Sequence, residues 1–438
     1  MTDIVLNTIP DGGVASASGF RAGGIHAGFR HDPKRLDMAL VEADELCPAA
    51  ATFTQNVFCA APIMASKEHL NNQGYGLARA IVINSGIANA ATGTVGLAAA
   101  KRTADIASEI IGCVPEDVLV ASTGVIGTIL DTNPFDFAIR TLQRAMYGHP
   151  AHEDAAQAGL PAMGVTGLDA AKAIMTTDTV PKQAAVSWVS ADPDYEGITF
   201  TVGGMSKGSG MIMPNMATMI AVITTDAPLA GEYLHDALLG AVNQSFNKIT
   251  VDSDTSTNDC CFLLASGKAA DLGDGVSRGT FAPDSIAMDE FKAALDTVTN
   301  TLAKEMARDG EGATKLVEVT ITGAATPEEA EMAARTVANS PLVKTAIYGH
   351  DANWGRIAAA LGRSGATFAQ ENVSIDMVGL PVMRGGLPLE FDEDEALRRF
   401  EDPEITIVAD LGAGDATDTM WTCDFSHDYV SINGDYRS

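Results

Sequence analysis

Residues 203–227 read GGMSKGSGMIMPNMATMIAVITTDA, and this stretch carries the strongest local signals in the chain. A Gly-Ser-Gly turn beside Lys207 precedes an apolar, strand-like run that residues 215–218 interrupt. The spacing is not GxxxxGK[ST], so Lys207 and its glycines are only a weak candidate for a phosphate-binding loop. A threonine in an apolar run is usually a strand residue, so spacing alone gives Thr218 a structural role. The stretch predicts a tight turn that leads into a buried strand.

The sequence around this stretch mixes strand and helix patterns. Apolar and polar side chains alternate in two segments, as in half-buried strands, and two short apolar runs end in turns, as buried strands do. The sequence TPEE at 326–329 supplies an N-cap, a proline at the first helical position and a capping-box glutamate. The predicted strands are residues 80–83, 118–121, 317–321 and 405–409, and the predicted helices are residues 92–111 and about 326–337. This mixture predicts an α/β fold of layered sheets covered by helices.

Length and charge limit the possible functions. The 438 residues, 46% of them hydrophobic, predict two domains or two large lobes with substantial cores. The formal net charge is −29, from 28 Lys and Arg against 57 Asp and Glu. Nucleic acids and anionic membrane surfaces both need a basic footprint, so the charge argues against both as partners. An anionic substrate would need a local lysine or arginine that acts against this field.

No targeting or metal-binding pattern is apparent. The N-terminus lacks a basic region followed by an apolar run, and the longest apolar stretch, residues 211–224, is too short to span a bilayer. The six cysteines form no CxxC pattern and are interpreted as reduced core residues, while the eight histidines are scattered. We therefore expect a cytoplasmic protein without a metal site.

The segment KGSGMIMPNMAT at 207–218 resembles the self-cleavage site of the ornithine acetyltransferase family, the bifunctional ArgJ proteins of arginine biosynthesis. The chain departs from the family's patterns where Ile87 replaces an Asn, Ser253 a Gly and Ala352 a Pro. Further blocks resemble the family's motifs in the same order along nearly the whole chain: NSGIANAATG at 84–93, STGVIG at 122–127, MTTDT at 175–179, SFNKITVDSDTSTND at 245–259, EGATK at 311–315, DANWGRI at 351–357 and YVSINGDYRS at 429–438.

The resemblance implies a self-cleaved protein with a layered sheet-and-helix sandwich of the ArgJ and L-aminopeptidase type. The chain would be cut between Ala217 and Thr218, giving an alpha chain of residues 1–217 and a beta chain of residues 218–438. Two copies of each chain are expected to form a heterotetramer.

The resemblance also assigns roles to individual residues. Thr218 is the expected nucleophile, and cleavage would give it a free α-amine with a pKa of about 7.7–8.0, suited to act as its general base. Thr123 and Gly124 are expected to form the oxyanion hole. The expected substrate-binding residues are Thr177, Lys207, Thr218, Glu311, Asn433 and Ser438. Lys207 is suited to an α-carboxylate and Glu311 to the ornithine ammonium, while the pattern leaves open whether Thr176 or Thr177 faces the substrate.

The implied reaction is acetyl transfer from N2-acetylornithine to glutamate through an acetyl ester on Thr218. It needs no ATP and no bound cofactor, and acetyl-CoA is an additional possible donor. A different class of function is a self-processed amidohydrolase or aminopeptidase, in which water replaces glutamate. A third, a non-catalytic acidic binding protein, predicts an uncut chain. Another acetyl-transfer pathway also stays open.

Overall fold

The computed structural model describes residues 4–149, 161–213, 219–271 and 278–435. Ala217, Thr218 and Ser438 therefore lie outside the described residues. Within these ranges no helix is both long and apolar enough to cross a membrane.

The larger sheet is mixed and contains ten of the described strands. β9 and β10 are parallel neighbours, as are β4 and β5, while the other neighbouring pairs are antiparallel. Its strands are β1 (Asn7–Thr8), β2 (Phe20–Ile25), β3 (Met38–Phe53), β4 (Tyr75–Ile87), β5 (Val118–Val125), β6 (Met163–Gly164), β7 (Lys182–Val189), β8 (Thr199–Lys207), β9 (Ile220–Thr225) and β10 (Cys260–Ala265). The order is β1-β7-β8-β9-β10-β3-β2-β6, and β4 lies between β3 and β5 outside this path.

A smaller sheet follows in the C-terminal part of the chain. Its strands are β11 (Leu316–Ala324), β12 (Ser374–Met377), β13 (Leu380–Arg384), β14 (Leu387–Pro388), β15 (Glu404–Asp410) and β16 (Ala416–Cys423), in the order β14-β13-β12-β15-β11-β16. The sequence patterns at 317–321 and 405–409 lie within β11 and β15, which pair in parallel. Both predicted strands are thus confirmed.

The described helices cover the sheets. They are α1 (Ala61–His69), α2 (Gly93–Ile111), α3 (Asn133–Met146), α4 (Gly167–Ala173), α5 (Gly231–Gln244), α6 (Ile286–Arg308), α7 (Pro327–Ala338), α8 (Pro341–Tyr348), α9 (Trp354–Gly362), α10 (Glu393–Arg399) and α11 (His427–Asp435). The predicted N-cap of α7 is confirmed, because the Thr326 hydroxyl accepts a hydrogen bond from the Glu329 N–H at 3.2 Å. α2 also confirms the helix predicted at residues 92–111.

The larger sheet curves so that one core lies between its two parts. In β4, Ile81 and Ile83 face this inner core, and Val222 of β9 and Phe262 of β10 enter it from the other side. Alternate residues of β9 and β10 face an outer core under α5 and α6. Those of β4 and β5 face a second outer core under α2 and α3. Strands buried on both faces read as continuous apolar runs, which explains the patterns at 80–83 and 118–121. The layers are helix, sheet, sheet and helix.

This curved sheet contains strands from both sides of the predicted cut. β8 ends at Lys207 and its antiparallel neighbour β9 begins at Ile220, with these two residues paired. The predicted alpha and beta chains would therefore share one sheet rather than form separate lobes. Cutting between neighbouring strands would leave their ladder of hydrogen bonds intact, so we expect the two chains to stay associated.

Candidate active site

A cavity of about 140 Å³ lies at the ends of the strands of the curved sheet. It brings together Thr123, Gly124, Thr177, Lys207, Glu311 and Asn433, which are all the described residues that the sequence analysis selected. Thr176 also lines it, so both threonines of the pattern reach the cavity. Met219, the residue that follows Thr218 in the chain, is part of the wall.

Thr123 and Gly124 lie at the end of β5, beside Ser85 and Gly86 of β4. Gly124 has a φ of +129°, and a Cβ at this position would lie 2.3 Å from the carbonyl carbon of Gly86. Only glycine fits this backbone conformation and this close approach. The two strand ends thus place Thr123 and Gly124 at the cavity wall.

Lys207 is the last residue of β8 and is 7% exposed. Burial lowers the pKa of its ammonium, the charge of Asp178 opposes that change, and the charge of Lys182 adds to it. Asp259 and Glu311 also favour the charged ammonium. Lys207 therefore places a buried amine, whose charged form Asp178, Asp259 and Glu311 favour, at the wall of a cavity in a strongly acidic protein.

Thr176 and Thr177 lie in the loop between α4 and β7. Asp178 fixes this loop, because its carboxylate accepts hydrogen bonds from the Thr176 N–H at 2.9 Å and the Gly208 N–H at 2.7 Å. Burial alone would raise the pKa of Asp178, but the charges of Lys207 and Lys182 and the hydrogen bonds from the Lys182 ammonium and the Thr176 N–H hold it well below its usual range. One ionised carboxylate thus connects the threonine loop to the residue that follows Lys207.

Glu311 and Asn433 also line the cavity. The Asn433 side-chain amide donates to the Glu311 carboxylate at 2.7 Å and to the Tyr429 carbonyl at 3.0 Å, so α11 is tied to the segment after α6. A Cβ at Gly210 would lie 2.3 Å from the Glu311 carboxylate, so a larger residue at position 210 would clash with this carboxylate. A carboxylate held by an amide is thus part of the cavity wall.

Residues 250–260 hold the chain on both sides of the predicted cut. Upstream of it, the Asp252 carboxylate accepts the N–H groups of Met211 at 2.6 Å and Ile212 at 2.8 Å. Burial raises the pKa of Asp252, and these hydrogen bonds oppose the change. Downstream of the cut, the Cys260 N–H donates to the Met219 carbonyl at 3.0 Å. The motif at 245–259 therefore has a role that the sequence analysis did not assign.

The family departures fall at different places relative to the cavity. Ser253 has a φ of +69°, a conformation that favours glycine, so the residue that the family carries there suits the backbone better. Ile87 packs against the core under α2 and α3 rather than among the described residues that line the cavity. The substitution at Ile87 thus bears on packing.

Several cavity residues were not singled out from the sequence. Residues 256–259 line the cavity just before β10, and Asn258 donates to the carbonyls of Ala88 at 2.6 Å and Ser122 at 2.8 Å. The available signal was a polar run, TSTND, directly before the apolar run CCFLLA, which places polar side chains at the start of a buried strand. Asp178 and Asp252 lie within the motifs at 175–179 and 245–259, but the motifs alone gave them no role. Lys182 carries no motif, and its contact with Asp309 joins residues 127 positions apart.

Comparisons with known proteins are extensive. The sequence matches the ArgJ family over residues 21–438. It is 45% identical over 428 residues to the arginine biosynthesis bifunctional protein ArgJ of Symbiobacterium thermophilum, across 98% of this chain and 99% of that protein. The protein of the same name from Chlorobaculum tepidum is 46% identical over 420 residues, or 96% of each chain. Among solved structures, an ornithine acetyltransferase from Mycobacterium tuberculosis, complexed with ornithine, is 34% identical, covers 48% of this chain and 99% of its own, and has a TM-score of 0.38.

Proposed function

This chain belongs to the ArgJ family, and we propose that it is a glutamate N-acetyltransferase that moves an acetyl group from N2-acetylornithine to glutamate in arginine biosynthesis. The observation that carries the proposal is the single cavity that contains Thr123, Gly124, Lys207 and Glu311 and has Met219 in its wall. Donors for an oxyanion, a cation for a carboxylate and a carboxylate for an ammonium are the groups that this transfer needs.

The proposed reaction begins with self-cleavage. The Thr218 hydroxyl attacks the carbonyl carbon of Ala217, the peptide C–N bond breaks, and the resulting ester is hydrolysed by water. The amide nitrogen of an uncut chain is a poor base, whereas the α-amine of an N-terminal threonine has a pKa of about 7.7–8.0. Cleavage thereby converts a backbone group into the general base of the same residue.

Acetyl transfer then proceeds in two steps. The Thr218 hydroxyl gives its proton to the Thr218 α-amine as its oxygen bonds to the acetyl carbon. The bond to the ornithine α-nitrogen then breaks, and that nitrogen leaves with the same proton. The α-amine of glutamate next attacks the acetyl ester, and its proton returns through the same amine to the Thr218 oxygen. In both steps negative charge develops on the acetyl oxygen, where the Thr123 hydroxyl and the Gly124 N–H are proposed to donate.

Donor and acceptor share an α-carboxylate, which we assign to Lys207, with Thr177 beside it. The side chains differ, because ornithine ends in an ammonium and glutamate in a carboxylate. We assign the ornithine ammonium to Glu311, which Asn433 holds. Ser438 is proposed to contribute from the C-terminus. A cytoplasmic location, a heterotetramer of two alpha and two beta chains, and the use of acetyl-CoA stay predictions.

The direct test mixes the purified protein with N2-acetylornithine and glutamate and follows both products by chromatography. We expect ornithine and N-acetylglutamate to form in equal amounts, and ornithine release to fall strongly when glutamate is omitted. Release that is indifferent to glutamate would instead assign the protein to the self-processed hydrolases. The same assay with acetyl-CoA in place of acetylornithine tests the second donor.

Removing the charge of Lys207 is expected to weaken the binding of both amino acids. In Lys207→Met, which keeps the volume of the buried stem, the KM values for N2-acetylornithine and glutamate should both rise by about 10–100-fold. This corresponds to the loss of one charge-assisted hydrogen bond of about 1.5–3 kcal/mol. We expect a smaller change in kcat. Lys172→Met, at an exposed position of α4, is the matched control, and unchanged KM values in Lys207→Met would remove Lys207 from the site.

Neutralising Glu311 is expected to separate the two substrates. In Glu311→Gln, the KM for N2-acetylornithine should rise about tenfold, because its side-chain ammonium loses a charged partner. The KM for glutamate should stay the same or fall, because its side chain has no positive charge. Steady-state kinetics with each substrate varied in turn makes the comparison, and Glu305→Gln on α6 serves as a control. Equal increases for both substrates would contradict the assignment.

A further inference from the structure

A buried ion cluster lies next to Lys207 and has no role in the reaction described so far. Its members are Asp178, Lys182 and Asp309. Lys182 is 2% exposed, and its ammonium donates to the Asp178 carboxylate at 2.8 Å and to the Asp309 carboxylate. These three are absent from the described residues that line the cavity, so any effect on substrate passes through their neighbours.

The cluster connects three of the segments that supply proposed substrate-binding residues. Asp178 holds the Thr176 N–H and the Gly208 N–H, as described above. Asp309 accepts a hydrogen bond from the Thr179 N–H at 3.1 Å, and its carbonyl accepts one from the Ser209 hydroxyl at 2.6 Å. The Ser209 carbonyl in turn accepts the Glu311 N–H at 2.8 Å. The loop of Thr177, the end of β8 and the segment of Glu311 are thus joined behind the cavity.

The charges of the cluster also act on Lys207. Asp178 forms an ion pair with Lys182 at 2.8 Å and is held at the end of β8, where it accepts the N–H of Gly208, the residue after Lys207, at 2.7 Å. Lys182 has a second carboxylate in Asp309. If Lys182 were neutral, Lys207 would be the only one of these two lysines whose charge could balance that of Asp178. An internal counter-ion competes with a substrate carboxylate for the same ammonium. With Lys182 present, its ammonium pairs with Asp178 and Asp309, so Asp178 competes less for Lys207 and the Lys207 ammonium keeps attraction for an external anion.

We propose that Lys182 is a positioning residue, which occupies Asp178 and thereby keeps the Lys207 ammonium available for the α-carboxylate of the substrate. The inference rests on the proposed function for the identity of that carboxylate. Among the described residues, Asp178, Lys182, Asp259 and Glu311 act on the charge of Lys207. Of these, Asp178 raises the pKa of Lys207 and Lys182 lowers it, so replacing each of them should shift this pKa in opposite directions.

The test measures the pKa of Lys207 by NMR in the full-length protein with ¹³C-labelled lysine, with Lys207→Arg to assign the resonance. Lys182→Met removes a positive neighbour, so the charged form of Lys207 becomes more favourable and its pKa should rise by about one unit. Asp178→Asn removes a negative neighbour of the same shape, so the pKa should fall by about one unit. A structural disturbance alone would not produce shifts of opposite sign.

Kinetics supply the second readout. At pH 7, Lys182→Met should raise the KM for glutamate about tenfold, with kcat changed much less, because Asp178 now competes for Lys207. In Asp178→Asn, the KM should begin to rise at a lower pH than in wild type, because Lys207 loses its proton earlier. Lys172→Met controls for the loss of a surface charge. Shifts of equal sign, or an unchanged Lys207 resonance in both variants, would overturn the proposal.

Removing one member of a buried ion cluster strongly destabilises many proteins. A second variant, which leaves the net charge of the cluster unchanged, therefore keeps the proposal testable if Lys182→Met does not fold. Lys182→Met combined with Asp309→Asn removes a cation and an anion together and should reproduce the upward shift of the Lys207 pKa. The NMR readout needs no turnover. If the wild-type protein failed to transfer acetyl groups while the opposite shifts were present, the proposed function would fail and the pairing of Lys207 would stand.

Discussion

Thr218→Ala protein is expected to remain a single chain of 438 residues, whereas the wild-type protein should separate on denaturing electrophoresis into fragments of residues 1–217 and 218–438. Alanine has no hydroxyl to attack the preceding carbonyl, so the ester that precedes hydrolysis cannot form. The uncut variant lacks both the nucleophile and the free α-amine. We expect acetyl transfer to fall by on the order of 10⁴-fold or more, because only binding and electrostatic effects remain.

Intact mass spectrometry checks this result to single-residue accuracy at the new termini. Thr218→Ser is the matched control, since it keeps a hydroxyl and should still cut, at a reduced rate. The structure adds a further expectation, because β8 and β9 pair on either side of the cut. The fragments should therefore elute together under native conditions. A wild-type chain that stays intact, or an alanine variant that is cut, would end the proposed mechanism.

The sequence was sufficient to predict much of the fold. Continuous apolar runs at 80–83 and 118–121 and alternating patterns at 317–321 and 405–409 are all strands, because pattern and burial agree there. The capping sequence at 326–329 begins α7. What the patterns did not predict is the curvature of the larger sheet. Its inner core joins residues such as Ile81 and Phe262, which are far apart in sequence.

The residues of the candidate site also differ in whether the sequence could predict them. Thr123, Lys207 and Glu311 line the cavity, and they could be selected from the sequence because the motifs that carry them resemble those of the ArgJ family. Lys182 carries no motif, and its importance depends on Asp178 and Asp309 meeting it in the folded chain. Charges that act through another residue leave no local pattern, so only the three-dimensional arrangement shows them.

The glycine pair at the ends of β4 and β5 is an intermediate case. The family resemblance selects Gly124 as an oxyanion-hole residue, and the structure shows that the backbone of Gly86 approaches it closely. Because a side chain at residue 124 would displace β4, replacing Gly124 would disturb the fold and the chemistry together. The proposed oxyanion donors are therefore better tested at Thr123, whose backbone can stay in place.

Replacing Thr123 by valine removes the hydroxyl and keeps the shape, and we expect kcat to fall by about 10²–10³-fold, or roughly 3–4 kcal/mol, with little change in KM. The hydroxyl is needed most when charge develops on the acetyl oxygen, so its loss acts on the transition state more than on binding. Thr123→Ser keeps the donor and should retain most of the activity. Because self-cleavage also passes through an oxyanion, kcat is expressed per cut chain, with the cut fraction taken from intact mass. A Thr123→Val enzyme that is fully cut and keeps kcat within about threefold of wild type would exclude this hydroxyl from the oxyanion hole and leave the Gly124 N–H as the proposed donor there.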